Sequence, residues 1–140
     1  MPRPIRARMV VAGSLLLTAT MTAAVAPKPG LRVLGMIEPG QWELHEASAA
    51  AAPRALCLGD PDALVQIQHS QHQCARFVVD DQPMAATVTY DCKGMGRGRT
   101  VIRAESPRLI HVETQGLAGG APFNMNYEGR RTGSCGGSSR

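Results

Sequence analysis

From residue 75 onward, apolar and polar positions alternate with a period of two, the pattern of strands that bury one face. The runs are residues 75–80, 84–92, 99–105, 108–116 and 123–131. Val88, Tyr90 and Cys92 share one face of the second run. In the fourth, Ile110 and Val112 oppose Leu109, His111 and Glu113. In the fifth, Phe123, Met125 and Tyr127 oppose Asn124, Asn126 and Glu128. Turn residues recur about every ten positions, the rhythm of an antiparallel meander. An earlier run, residues 41–48, puts Trp42 and Leu44 on one side and Gln41, Glu43 and His45 on the other. Between this run and the rest the period changes. Asp60 suits a helix cap, Pro61 the first helical position and Asp62 the N-terminal dipole, while Leu64 and Ile67, extended by Val65, form a short apolar face. The pattern predicts a mainly β (α+β) domain. Its sheet is a curved antiparallel meander of about six strands, with edges approaching as in a partial barrel and one short helix after the first strand.

The first thirty residues follow a different logic. Arg3, Arg6 and Arg8 precede an apolar run over residues 9–25, which ends in small residues. That is the order of a secretory signal peptide. Gly13, Ser14 and several threonines interrupt the run, which is short for a membrane span. Cleavage fits best after Ala24, because Pro27 behind Ala26 hinders a peptidase, and no cysteine follows to make a lipoprotein. The expected organisation is a signal peptide over 1–24, an extended proline- and glycine-rich lead-in over 25–37, a β domain over 38–135 and a flexible tail over 136–140. The expected location is periplasmic or secreted, with no membrane span after signal removal.

Export changes the reading of charge and cysteines. The 140 residues carry a formal charge of +4, and removing the three signal arginines leaves +1. The remainder is nearly neutral, so its basic pI does not point to nucleic acid. Cys57, Cys74, Cys92 and Cys135, an even set in an exported chain, read as two disulfides. Cys74 opens one predicted strand and Cys92 closes the next, so a hairpin brings them opposite each other. Three further strands carry Cys135 to the other end of the sheet, leaving it for Cys57.

Candidate chemistry is sparse. Gly94, Gly96 and Gly98 resemble a phosphate loop, but Arg99 stands where a third motif glycine belongs and a strand pattern follows instead of a helix. The stretch reads as a hairpin turn, with Arg97 and Arg99 as solvated charges beside it. His69, His72 and Cys74 have the spacing to begin a metal site, but a disulfide sulfur is a poor ligand and no fourth donor is near. They read as two solvated histidines at a helix end. His111 falls on the wet face of its strand, and Asp80 and Asp81 read as turn residues beside Pro83. Phe77, Tyr90 and Phe123 alternate with threonine, valine and asparagine rather than lysine, which reads as core and not as a nucleic-acid platform.

"PGQWEL", "RALCL", "CARFVVDD", "ATVTYDC" and a terminal "RRTGSC" follow the signal segment in that order. Over residues 38–135 the chain resembles the bacterial exported family called domain of unknown function 3617 (DUF3617), although the methionine- and glycine-rich central segments common there are sparse. The resemblance implies an envelope protein with two disulfides and a β-sheet fold, and transfers no catalytic residue, metal or cofactor. The expected function is a non-enzymatic binding or structural module. Its concave apolar face would hold a lipophilic small molecule or a partner protein. The alternative is an envelope enzyme using His111 or the His69/His72 pair.

Overall fold

The computed structural model describes residues 30–136. The predicted signal segment 1–24, its cleavage site and all but the first residue of the predicted tail lie outside them. Seven strands form: β1 (Gly40–Glu46), β2 (Arg54–Leu58), β3 (Ala75–Asp81), β4 (Ala85–Cys92), β5 (Gly96–Ser106), β6 (Leu109–Ala118) and β7 (Ala121–Gly133). They make one antiparallel sheet in the order β2-β1-β7-β6-β5-β4-β3. The meander from β3 to β7 is the predicted one. The additional strand is β2, which folds back on β1 with Leu44 opposite Arg54 and Gly40 opposite Leu58. It lacked a periodic signal because it lies on an edge, with only Leu58 buried.

The sheet stays open rather than approaching a barrel. β2 and β3 are its two edges, and no ladder joins them. Its apolar face is covered instead by two short 3-10 segments. One is Val33–Met36, inside the stretch expected to be extended. Its turn is closed by the amides of Leu34, Gly35 and Ile37 on the carbonyls of Leu31, Arg32 and Leu34. This buries Val33, Leu34 and Ile37. The other is Pro61–His69, where Asp60 accepts from the amide of Asp62 at 2.9 Å, as the capping pattern predicts. Leu64, Val65 and Ile67 from this segment join Val33 and Ile37 against Trp42, Leu44, Val88, Ile102, Ile110 and Val112 in one core. Burial of this size is the main stabilising contribution in so small a domain.

Gln66 breaks the second segment, with φ −132° and ψ 47°. Its buried amide makes the break tolerable. Nε2 donates to the carbonyls of His69 and His72 at 3.0 and 2.6 Å, and Oε1 accepts from Nε and Nη2 of Arg76 at 3.0 and 2.8 Å. Carbonyls that a helix end leaves unpaired thereby gain partners.

Two disulfides close the domain. Cys74 and Cys92 extend the register in which Ala75 faces Asp91, with Cα atoms 4.1 Å apart. Cys57 and Cys135 are 5.4 Å apart at Cα. Gln41 of β1 lies between Cys57 on one side and Gly133 on the other, so the chain after Gly133 crosses the end of β1 to reach Cys57.

Candidate interaction surface

Of the two histidines expected to be solvated, His72 is half-buried and His69 is enclosed. His69 is only 3% exposed. Nδ1 lies 3.1 Å from the Tyr90 hydroxyl, and Nε2 is buried with no hydrogen-bond partner. The break at Gln66 turns the end of the segment inward over β4 and β5, and glycines make the room. A Cβ on Gly96 would stand against His69 Nε2 and the Leu117 carbonyl, and one on Gly98 against the Tyr90 ring. Of the three glycines read as a turn, Gly94 alone lies in it, at φ +78°. Gly96 and Gly98 belong to β5 and serve close packing. Next to this cluster, the Thr100 and Thr114 hydroxyls are 2.9 Å apart. Burial pushes the Tyr90 phenol above its ordinary 10.0, and a hydrogen bond with Thr114 pulls it only partly back.

The His72 ring stands 6.3 Å from that of His69, and Cys74 is committed to Cys92. Among the described residues no three His, Cys, Asp or Glu side chains converge as metal ligands. His111 is on the outer face, as predicted, with Nε2 2.7 Å from Glu105 Oε1. Beside it Arg103 pairs with Glu113, and these two and His111 border a shallow hollow of about 600 Å³. Among the described residues the hydrogen bond of the His111 ring is to Glu105.

The edge strand β3 differs most from expectation. Phe77, read as core, is 70% exposed. It stands opposite Thr89 on the outer face, and β3 has no further strand beyond it. Val78 faces Val88 on the inner side yet is 49% exposed. Val79 occupies a bulge between Val78 and Asp80 and is 53% exposed. Asp80 and Asp81 end the strand rather than form the turn, and Asp81 Oδ1 accepts from the Arg32 amide at 2.9 Å. The result is a contiguous apolar run, Phe77 to Val79, along an unpaired strand edge.

From Phe77 a row of facing residues crosses the outer face: Thr89 on β4, Arg99 on β5, Gln115 on β6 and Asn124 on β7. Arg97 stands two positions from Arg99 on the same side. These residues border the larger hollow, about 730 Å³, at the facing glycine pair Gly98 and Gly116. Arg76, Arg103, Arg108, Arg130 and Arg131 each form an ion pair, whereas Arg97 and Arg99 form none among the described residues. Both are exposed, as the solvated charges expected from the sequence. What the structure adds is their register with Phe77, which depends on pairing across three strands.

Residues 37–135 match the model of the family described as Protein of unknown function (DUF3617). No curated protein and no solved structure matches the chain.

Proposed function

The chain belongs to the DUF3617 family of proteins of unknown function, a membership that brings no reaction with it, and we propose that it is an exported, non-enzymatic binding module that receives a partner protein along the free edge of β3. The exposed run Phe77–Val78–Val79 on that edge carries the reading. Soluble proteins ordinarily blunt such edges with charge, proline or short length. The opposite edge follows that rule: β2 has five residues and is tied down at Cys57. On β3 the bulge and the two aspartates come only at the far end, leaving the first part of the strand open. An added strand would satisfy its outward amides and carbonyls and cover Phe77.

A lipophilic ligand inside the sheet is disfavoured, because the apolar face is already filled by Val33, Ile37, Leu64, Val65 and Ile67. An enzymatic role has less support still: His69 is sealed in, and the hydrogen bond of the His111 ring is to Glu105. Export rests on the arginine-led apolar segment and on the two disulfides, which persist in oxidising compartments. Among the described residues no helix is long and apolar enough to cross a membrane.

A photo-crosslinking side chain placed at Val79 tests the docking edge in the native envelope. The expected result is a discrete adduct with a second protein, absent when the probe sits at Arg54 on the opposite edge. No adduct at Val79, or the same adducts from both positions, overturns it. Intact mass tests export: the mature chain should begin at Val25, and a membrane-bound chain retaining Met1 overturns it.

A further inference from the structure

We propose that the hollow on the outer face between β3 and β7 is a separate binding site for a monoanionic amphiphile, a molecule with one oxyanion head and an apolar tail. Charge decides the head. Arg97 and Arg99 are exposed, share a face and find no carboxylate within ion-pair distance among the described residues. Two positions along a strand separate them by roughly 7 Å at the backbone. Long guanidinium side chains can converge from there on one carboxylate or phosphate and bind it through paired N–H donors. Asp91, opposite Arg97, also borders the hollow. Arg76 borders the hollow too, but its charge is met by Asp62. The two unpaired guanidinium groups against Asp91 leave a single positive charge, which suits a monoanion and disfavours a polyanion. The amides of Gln115 and Asn124, next along the same row, supply further donors.

Shape and composition decide the tail. The hollow is more apolar than polar in its lining, and the exposed Phe77 ring stands at its β3 end. An exposed aromatic beside unpaired cations fits a ligand with both characters. Free phosphate or acetate would leave Phe77 uncovered, and a neutral lipid would leave the arginines without a counter-charge. This site does not depend on strand addition at β3, although both involve Phe77.

Calorimetric titration of the mature protein tests it, with dodecanoate below its micellar range as the probe and acetate, dodecyl maltoside and dodecyltrimethylammonium as comparisons. Dodecanoate should bind one per chain, with each comparison weaker by about tenfold or more. The double variant Arg97→Ala/Arg99→Ala should lose about tenfold or more in dodecanoate affinity, Phe77→Ser should weaken it, and Arg103→Ala should leave it unchanged. Circular dichroism checks that each variant folds. Absence of dodecanoate binding, equal binding of acetate or the maltoside, or undiminished binding by the double variant overturns the site. The Val79 crosslink should persist in the double variant, so the two readings can fail separately.

Discussion

Arg131 Nε donates to the Pro39 carbonyl at 2.9 Å, across 92 positions of sequence. Pro39 opens the "PGQWEL" segment and Arg131 lies in "RRTGSC", so the first and the last of the family-like segments meet here. Around them Glu38 lies 3.6 Å from Arg131 and 3.7 Å from Arg108, and the Thr132 hydroxyl bonds the Gln41 carbonyl at 3.3 Å. Together these contacts form a clasp between β1 and β7. Arg131→Ala should therefore destabilise the fold by roughly 1.5–3 kcal/mol, the range for a hydrogen bond made by a charged group. Urea unfolding measures this. A change no larger than that of an exposed control such as Arg99→Ala would show that the clasp contributes little.

The two disulfides should differ in worth. The Cys57–Cys135 bond spans 78 positions and Cys74–Cys92 spans 18. Chain-entropy arguments give about 4.5 kcal/mol for the longer loop and about 3.2 kcal/mol for the shorter. Paired serine replacement at Cys57 and Cys135 should lower the urea midpoint more than replacement at Cys74 and Cys92. The reverse order would mean that the unfolded chain keeps its two ends close even without the Cys57–Cys135 bond, so that the longer loop has less entropy to lose.

Tyr90 sets an alkaline limit. Burial raises its folded-state pKa above 10.0, while the unfolded phenol ionises at the ordinary value. Below 10.0 both states keep the proton, and the neutral phenol contributes its full stabilisation. As pH rises through 10.0 toward the folded value, the unfolded state loses its proton first and stability falls. Urea unfolding at about pH 9 and about pH 11 should show the drop, and Tyr90→Phe should reduce it. In a Tyr127→Phe background, ultraviolet absorbance should report the remaining phenol ionising above 10.0, and Thr114→Val should move it higher still.

The meander was legible because each central strand has one buried face: Val88, Tyr90 and Cys92, or Ile110 and Val112, declare it by alternation alone. The hairpin disulfide followed from the same pattern. Edges were not legible. Arg54–Leu58 buries too little to produce a period, and nothing local distinguishes Phe77 on a terminal strand from the same residue in mid-sheet. His69 was misread for a different reason. Its burial needs the break at Gln66, an anchor from Arg76 and missing side chains at Gly96 and Gly98, which are contributions from three separate parts of the chain. The arginine hollow is likewise a product of register.

The placement of β1 against β7 also has a consequence in time. A chain emerging N-terminus first presents Trp42 and Leu44 long before Tyr127 and Gly129 exist to cover them. The β3–β7 hairpins can pair locally as they appear, but the sheet gains its β1 side only when the final strand is complete. Such long-range closure is slow and leaves apolar surface open to aggregation meanwhile. Until the last residues are released, this protein depends on whatever holds its first strand apart from its neighbours.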